Sequence, residues 1–319
     1  MEYVNLGSTG TKVSELCFGT WRFGREADGT VETTREEAHE LLDAFADRGG
    51  NFIDTANTYG DGQSETWIGE WLNEQDREDY VIASKAYWTM ESRFSHNLSR
   101  KNIRAEIEGT LDRLDTDYLD LYYIHRWDDE TPIEETLRTL NDLVRDGKVH
   151  YLGASSMAAW QLTKALWTSD VEGLERFEVT QPKFNAAHRE PVRDYLDVCA
   201  DQDLAVCPWS PLEGGFLTGK YERDGEPPEG SRADLLDYED RWSDRQWETL
   251  DAVREVADDV DATPAQVSLR WMMDQTDFTC IPIVGARTVE QLDENVGAVE
   301  VDLSEEQFER ITEAYHDAE

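Results

Sequence analysis

A carboxylate, a phenol, an ammonium and an imidazole each stand at or just beyond the end of a short apolar run. They are Asp54, Tyr59, Lys85 and His125. A carboxylate at a buried position needs a cation or several hydrogen-bond donors, because burying an unpaired charge is costly. A lysine can supply that cation, and its ammonium also favours the phenolate form of a nearby tyrosine, which makes the phenol a better proton donor. The four residues therefore predict a site for proton transfer.

Such a set suits the protonation of an oxygen that gains negative charge. A free phenol has a pKa of ~10 and is a weak acid at neutral pH. A neighbouring ammonium is therefore needed to make it a better proton donor. A histidine can hydrogen-bond the substrate oxygen or relay a proton. Together the four groups could protonate the oxyanion that forms when hydride adds to a carbonyl. Each of them alone is also compatible with a structural role: a buried ion pair, a packed tyrosine and a core histidine.

The elements that must position these residues are eight short apolar runs separated by amphipathic stretches, a pattern that indicates a parallel sheet covered by helices. The runs are Leu16–Thr20, Phe52–Ala56, Val81–Lys85, Leu119–His125, Tyr151–Ser155, Val179–Phe184, Ala205–Ser210 and Cys280–Gly285. Eight strands close such a sheet into a barrel whose C-terminal strand ends converge on one mouth. An open doubly wound sheet is the alternative, but the glycines at 19 and 24 lack the spacing of its nucleotide-binding turn. The predicted fold class is α/β, a (β/α)8 TIM barrel.

Helical periodicity fills the intervals between the runs. The predicted helices are Thr34–Arg48, Ser64–Asn73, Ser99–Leu114, Pro132–Asp146, Met157–Thr168, Pro191–Asp201, Arg245–Val260 and Pro264–Gln275, with Leu303–Tyr315 outside the repeat. An N-terminal β-hairpin is predicted before the first run, and residues 219–245 are predicted to form a long loop on the mouth side, where long ordered loops often bind ligands. Since no linker or low-complexity tract is visible, residues 1–319 are predicted to form a single domain.

The composition excludes some functions and suggests an environment. The 319 residues carry 70 acidic and 30 basic side chains, a net charge of -40 that is spread along the chain. Such a charge argues against nucleic acid or an anionic membrane as a partner. It is typical of proteins from a salt-loving cytoplasm, where a Debye length of about 3 Å at ~1 M salt screens the self-repulsion. An ordinary acidic enzyme is the alternative.

The cysteines and the apolar runs point to a cytoplasmic protein without a metal site. Cys17, Cys199, Cys207 and Cys280 lie far apart and are predicted to be reduced, buried thiols. No ligand spacing for a metal is present. No run approaches the ~20 apolar residues of a membrane span, and no secretory signal is visible at the N-terminus.

Three motifs resemble the signatures of the aldo-keto reductase superfamily: Asp54-Thr55-Ala56-x-x-Tyr59-Gly60, Ser84-Lys85 and Ile124-His125. The likeness runs in order from Gly19 to the region of Asn295. It implies a β/α barrel with NADP(H) bound extended across the mouth. It also implies that Asp54, Tyr59, Lys85 and His125 form a catalytic tetrad in which the tyrosine is the general acid.

Within the superfamily, the chain is most similar to the potassium-channel β-subunit and its bacterial relatives. The segments that carry this likeness are Gly19-Thr20-Trp21-x-Phe23-Gly24, Leu98-Ser99-Arg100-Lys101-Asn102-Ile103 and Trp209-Ser210-Pro211-Leu212. This branch implies a homo-oligomer. It also leaves open a nicotinamide-binding regulatory or scaffold subunit with incidental turnover, and a metal-dependent barrel hydrolase or lyase is a further alternative.

The same resemblance implies a set of cofactor contacts. Ser155 and Gln181 would bind the nicotinamide carboxamide, Ser156 stands where the family often has Asn, and Trp209 would stack on the ring unless it is plain core. The run from Ser210 to Tyr221 resembles the pyrophosphate strap, in which glycines let the backbone approach phosphate. The full predicted set is Gly19, Thr20, Trp21, Asp54, Ser155, Ser156, Gln181, Trp209, Ser210, Pro211, Leu212, Gly214, Lys220, Arg232, Gly285, Arg287, Gln291, Glu294 and Asn295.

Arg287 carries the prediction that NADP(H) is preferred over NAD(H). Thr288 and Gln291 have the spacing of a capping box at a helix start. A helix N-terminus favours an anion, and an arginine beside it can add a bidentate phosphate contact. Arg287 is therefore predicted to bind the 2′-phosphate, with Arg232 as a second cation. A solvent-exposed arginine without this role is the alternative.

The predicted substrate pocket contains residues just beyond the strand ends. They are Trp21, Tyr59, Trp88, His125, Arg126 and Trp127. Aromatic walls suit an apolar or sugar-like aldehyde or ketone, although loop packing explains the tryptophans equally well. The sequence thus predicts an NADP(H)-dependent oxidoreductase that reduces small carbonyl substrates to alcohols.

Overall fold

The structure, a computed structural model, describes residues 1–27, 29–89, 96–228, 231–235 and 242–315, without the side chains of residues 232 and 235. Eight parallel strands form its central sheet: β1 Cys17–Gly19, β2 Phe52–Asp54, β3 Val81–Ala86, β4 Leu119–Ile124, β5 Val149–Ser155, β6 Phe177–Gln181, β7 Ala205–Val206 and β8 Ile283–Val284. Their order across the sheet is β7-β6-β5-β4-β3-β2-β1-β8. All paired strands are parallel, as the continuous apolar runs predict.

The two edges of this sheet meet, which gives the barrel that the eight runs predict. Val206 on β7 forms a parallel bridge with Cys280, just before β8. The Val206 N–H donates to the Thr279 carbonyl and the Ile281 N–H donates to the Val206 carbonyl, each at 2.8 Å.

Strands β7 and β8 are each only two residues long, shorter than the apolar runs that contain them. Pro208 and Pro282 lie in those runs and have no N–H to donate to a ladder. Their carbonyls still accept hydrogen bonds, from Ile283 N–H and Cys17 N–H respectively, each at 3.0 Å. The barrel wall therefore continues past both prolines.

Helices surround the barrel, and most follow the predicted stretches within a few residues. They are α1 Arg35–Asp47, α2 Gln63–Leu72, α3 Arg100–Leu114, α4 Ile133–Arg145, α5 Ala159–Glu172, α6 Arg193–Asp201, α7 Arg232–Leu235, α8 Asp244–Val260, α9 Pro264–Met273, α10 Val289–Val296 and α11 Glu305–Ala314. Short 3-10 helices are Tyr59–Gly62, Arg77–Asp79, Glu190–Val192, Glu213–Thr218 and Gly297–Glu300. Helix α7 lies in the predicted long loop, part of which falls outside the described residues.

The starts of four helices follow from local sequence chemistry. In α1, α8, α9 and α11, a Ser or Thr hydroxyl accepts the backbone N–H three residues later, and a Glu or Gln side chain at that position accepts the cap's own N–H. This reciprocal arrangement satisfies two N–H groups that a helix start otherwise leaves open. The spacing is visible in the sequence, which explains why these boundaries were predictable.

The N-terminal hairpin pairs Tyr3–Asn5 with Lys12–Ser14, and a second small hairpin pairs Glu26–Ala27 with Thr30–Val31. Leu6 and Val13 of the first hairpin are buried against the interior side chains of the barrel. Ser8 Oγ donates to Glu178 near the start of β6 at 2.5 Å. This hairpin therefore covers the N-terminal ends of the strands, and the C-terminal ends remain available for a site.

All four cysteines are buried and unpaired, as the sequence predicts. Within the described ranges, no helix is both long and apolar enough to cross a membrane. In the same ranges, no group of three or more His, Cys, Asp and Glu residues is arranged to hold a metal ion.

Candidate active site

A buried ion pair lies at the C-terminal ends of β2 and β3. Asp54 is the last residue of β2 and Lys85 lies near the end of the neighbouring strand β3. Lys85 Nζ donates to Asp54 Oδ2 at 2.7 Å, and the two side chains are only 0% and 5% exposed. The other carboxylate oxygen, Oδ1, accepts from Gln181 Nε2 at 2.8 Å. The carboxylate thus has the cation and the additional donor that its burial requires.

Lys85 uses its three ammonium protons on three different partners. Besides Asp54, Nζ donates to the Thr55 carbonyl at 2.7 Å and to the Tyr59 hydroxyl at 3.3 Å. Burial disfavours the ammonium, but the charge of Asp54 and the hydrogen bonds to Asp54 and Tyr59 outweigh that effect and raise the pKa of Lys85. The lysine is therefore a fixed cation directed at the phenol.

Tyr59 begins a short 3-10 helix after β2, and its hydroxyl faces the mouth groove described below. Burial raises the pKa of the Tyr59 phenol, Lys85 lowers it, and the charge of Asp54 raises it again. The net shift is upward, so the sequence argument, which considered only the ammonium, misses the larger contribution of burial. Tyr59 keeps its proton at neutral pH, and Lys85 moderates a pKa that would otherwise be higher.

His125 follows β4, and its backbone N–H donates to the Ala86 carbonyl at 2.7 Å. Its ring packs edge-on against Tyr59, with centroids 6.2 Å apart. Burial first, then the charges of Lys85 and Arg126, lower the pKa of His125 to about 3. The imidazole is therefore neutral, and its buried Nδ1 has no hydrogen-bond partner among the described residues. A neutral imidazole can donate to an oxygen through one nitrogen.

A second set of buried polar residues supports the ion pair, and sequence reasoning missed most of it. Ser64 Oγ lies 2.7 Å from Thr20 Oγ1 and 2.8 Å from Thr55 Oγ1, and Thr20 Oγ1 donates to the Asp54 carbonyl at 3.0 Å. Glu65 is fully buried and accepts from Ser84 at 2.5 Å and from Arg113 at 2.7 Å. Ser64 and Glu65 lie on α2, whose periodicity marks only a buried face, so no sequence signal singled them out.

A groove of about 650 Å³ crosses the barrel mouth from Tyr59 to α10. Most residues predicted for the cofactor or the chemistry line it: Gly19, Trp21, Asp54, Tyr59, His125, Ser155, Ser156, Gln181, Trp209, Ser210, Pro211, Leu212, Gly214, Lys220, Gly285, Arg287, Gln291, Glu294 and Asn295. The sequence-derived set omits six lining residues, Arg22, Gly215, Thr218, Ile283, Val284 and Ala286. Thr20 is buried beneath the groove, Lys85 lies behind Tyr59, and the side chain of Arg232 lies outside the described part of the chain.

At one end of the groove, Ser155 and Gln181 end the neighbouring strands β5 and β6. Ser155 Oγ donates to the Gln181 carbonyl at 2.8 Å and lies 3.2 Å from Ser156 Oγ. Ser156 adopts a left-handed backbone conformation with φ 51°. Among residues other than glycine, Asn is enriched in that conformation, so an asparagine would suit this backbone at least as well as the serine.

Beyond β7 the chain turns sharply along the groove. Gly214 and Gly215 have φ values of 66° and 92°, which side chains rarely allow. A Cβ on Gly215 would lie 2.7 Å from Lys220 Nζ. Glu213, just before them, accepts from Lys183 at 2.5 Å and from Asn185 at 2.7 Å, which fixes the turn. The result is a half-buried glycine turn beside a lysine.

The start of α10 forms the opposite end of the groove. Thr288 Oγ1 accepts the Gln291 N–H at 3.3 Å, as the capping spacing predicts. The Gln291 side chain, however, accepts from the Arg287 N–H at 3.0 Å instead of from the cap's own N–H, so only half of the predicted box forms. Arg287 is exposed, and its guanidinium makes no ion pair with the described residues. Asn295 Nδ2 donates to the Gly285 carbonyl at 3.3 Å.

Three of the predicted pocket residues are not among the lining residues of the groove. Trp88 packs edge-on against Tyr87 with centroids 5.0 Å apart, and Arg126 lies over the same tyrosine ring at 5.6 Å. Trp127 packs against Trp160 at 5.7 Å. Loop packing accounts for these contacts, and the role of these residues in a substrate pocket stays a prediction. Trp21 does line the groove, under the guanidinium of Arg25 at 4.0 Å.

The donors along the groove suit a dinucleotide phosphate. At one end, polar side chains surround Asp54. In the middle, the turn with two positive-φ glycines lies next to Lys220. At the far end, Arg287 adjoins the first turn of α10, where open N–H groups favour an anion. The residues present could therefore hold an extended anionic ligand such as a dinucleotide.

The fold and this site define an α/β-barrel protein with a buried ion pair and a lysine-bonded tyrosine at its mouth. The sequence profile of the aldo/keto reductase family matches residues 15–316. The chain therefore belongs to the aldo/keto reductase family.

Three relatives illustrate this membership. The norsolorinic acid reductase B of Dothistroma septosporum is 34% identical, with 99% of this chain and 82% of that protein covered. An aryl-alcohol dehydrogenase of Pestalotiopsis microspora is 34% identical over 97% of this chain and 80% of that protein. A probable voltage-gated potassium channel subunit beta of Arabidopsis thaliana is 35% identical over 94% of this chain and 92% of that protein. Relatives with oxidoreductase names thus extend along almost the whole chain, and the resemblance to the channel-subunit branch is confirmed.

Proposed function

We propose that this protein is an NADP(H)-dependent oxidoreductase that reduces aldehydes or ketones to alcohols, with Tyr59 as the general acid. The observation that carries the proposal is the 3.3 Å contact between the Tyr59 hydroxyl and Lys85 Nζ, at a groove lined by the tyrosine. The oxidoreductase names of the relatives support the reaction class. A reduced nicotinamide supplies the hydride for such a reaction.

The side chains of this protein divide the remaining work. Tyr59 holds a proton at neutral pH and donates it to the substrate oxygen as that oxygen gains charge. Lys85 stabilises the phenolate left behind, and Asp54 holds Lys85 in place. Neutral His125 orients the substrate oxygen by a hydrogen bond. Lys220 and Arg287 would hold the phosphates, and Ser155, Gln181 and Trp209 would position the nicotinamide.

The test is the Tyr59→Phe variant, assayed in molar KCl with NADPH against a panel of aldehydes, ketones and sugars. Loss of a general acid is expected to lower kcat by about 10²–10⁴-fold, while NADPH affinity stays close to that of the wild type. Tyr151→Phe is a matched control, because its hydroxyl also accepts a hydrogen bond, from Thr11 at 3.0 Å, but in the region of the N-terminal hairpin. Retention of most activity by Tyr59→Phe would show that another group supplies the proton.

The channel-subunit relative favours a second candidate, a nicotinamide-binding regulatory or scaffold subunit whose turnover is incidental. The two functions differ in the rate of turnover per NADPH-binding site. A reductase turns over at least one carbonyl substrate of the panel many times per NADPH-binding site, whereas a scaffold subunit binds NADPH tightly and oxidises it only slowly with every substrate. Tight binding without efficient turnover across the panel would therefore favour the second candidate.

A further inference from the structure

Helix α5 exposes an apolar stripe on the outside of an otherwise acidic protein. Trp160 is 59% exposed, Trp167 is 65% exposed and Val171 is 66% exposed. With Lys164, also exposed, these residues fall within an arc of about 60° on a regular helix. The opposite face of α5, which includes Leu162, is buried. Nothing in the proposed reaction uses this stripe.

The charges on α5 itself nearly cancel, in contrast to the chain as a whole. Two acidic residues of α5 lie near its C-terminal end, and each pairs with an arginine: Asp170 with Arg176 at 2.5 Å and Glu172 with Arg138 at 2.7 Å. Lys164 makes no ion pair with the described residues, so it contributes an uncompensated positive charge in the middle of the stripe. A chain with a net charge of -40 repels a copy of itself over most of its surface. On α5 itself, the paired carboxylates and Lys164 add no net negative charge to that repulsion.

The order of residues along the stripe is self-complementary. The spacings between Trp160, Lys164, Trp167 and Val171 are four, three and four residues, which are symmetric about the centre. When two copies of α5 pack antiparallel, Trp160 faces Val171 and Lys164 faces Trp167, and each contact occurs twice. An ammonium over a tryptophan ring is a favourable cation–π pair. Parallel packing would instead bring the two copies of Lys164 together.

We propose that the α5 stripe is a two-fold interface at which a second copy of this chain packs antiparallel against the first. A closed two-fold contact requires a self-complementary patch, which the symmetric spacing supplies. At ~150–250 Å² for a buried aromatic side chain, the exposed parts of the two tryptophans amount to roughly 250 Å². That is about a third of the ~800 Å² that each partner contributes to a standard interface. The tryptophans form its apolar centre, and polar neighbours such as Gln161 and Thr163 form its rim.

The test measures molar mass by analytical ultracentrifugation of the full chain over a wide concentration range in molar KCl. The wild-type protein is expected to form a reversible dimer. Trp167→Glu and Trp167→Lys are each expected to weaken association by about 30-fold or more, the effect of removing a central interface tryptophan. Tyr3→Glu is the matched control, because Tyr3 is an exposed aromatic residue of the N-terminal hairpin, away from α5. The same new charge at this position should leave association unchanged.

A swap variant tests the antiparallel geometry itself. In the double variant with Lys164→Trp and Trp167→Lys, each new tryptophan again faces a lysine, so association should recover to near the wild-type level. Far-UV circular dichroism verifies that the single variants are folded. A wild-type protein that stays monomeric at every concentration overturns the proposal. So do single variants that associate like the wild type, or a swap variant that associates no better than Trp167→Lys.

Discussion

The buried pair formed by Asp54 and Lys85 allows the sharpest prediction about stability. In Asp54→Asn, the side chain keeps its shape but loses its charge, and Lys85 remains 0% exposed with no counter-ion. Its remaining contacts, the Thr55 carbonyl and the Tyr59 hydroxyl, are neutral. The new amide can also turn an N–H₂ group towards Gln181 Nε2, which now donates to Asp54 Oδ1 at 2.8 Å.

The expected cost follows from the burial of the unpaired charge. Removing one partner of a buried ion pair lowers the free energy of unfolding by about 3–5 kcal/mol. Lys85→Met leaves Asp54 with Gln181 as its donor, so the carboxylate loses its counter-ion and a comparable loss is expected. The double variant with Asp54→Asn and Lys85→Met leaves no charge in the site. The double variant should therefore lose less free energy of unfolding than the sum of the two single variants, by about 0.5–3 kcal/mol.

The assay is equilibrium unfolding in urea at fixed molar KCl, because urea leaves the ionic strength unchanged. Asp142→Asn serves as the control: Asp142 pairs with Arg104 at 3.3 Å, but both side chains are 41% exposed. Exposed pairs contribute only about 0–1 kcal/mol, so this variant should unfold nearly like the wild type. Losses below 1 kcal/mol for both active-site variants, or strict additivity in the double variant, would refute the argument that charge burial dominates here.

Two further predictions concern the cofactor and pH. Arg287→Ala should lower kcat/KM with NADPH by about 10–100-fold, the effect of losing a charged hydrogen bond of ~1.5–3 kcal/mol, and leave kcat/KM with NADH nearly unchanged. Arg310→Ala, at an exposed pair with Asp259, is the control, and equal losses with both cofactors would contradict the 2′-phosphate assignment. Because burial lowers the pKa of His125 to about 3, the unfolded chain takes up this proton first as pH falls below ~6.5. Stability should therefore decrease from pH ~6.5 towards pH 3, and unfolding of His125→Asn should take up about one proton fewer in this window, whereas identical pH profiles would show that His125 titrates normally.

Hydrophobic periodicity and the local chemistry of the sequence were sufficient to predict most of the fold. Apolar runs such as Val81–Lys85 correspond to strands because both faces of a parallel barrel strand are buried. The start of α1 at Thr34 was predictable because its cap involves Glu37, only three positions along the chain. The run Ala205–Ser210 was less informative, since the regular strand covers only Ala205–Val206 and pairing beyond Pro208 is reduced to an isolated bridge between Lys183 and Trp209.

The candidate site, like the fold, was predictable from the sequence only in part. The sequence by itself determined the residue types at the strand ends, because Asp54, Tyr59, Lys85 and His125 lie within one stretch of alternating strands and helices and match a family pattern. Only the tertiary structure decided their electrostatics, because desolvation depends on every side chain packed around a group. It reversed the expected direction for the Tyr59 pKa.

Tertiary packing also decided which neighbours belong to the groove. It buried Thr20 beneath the groove and packed Trp127 against Trp160. The exposure of Trp167 on α5 was equally invisible in the sequence, because a tryptophan in an amphipathic stretch is expected on the buried face. The chain order specifies what each residue can do, but burial and distance, which arise only when remote segments pack together, decide what it does.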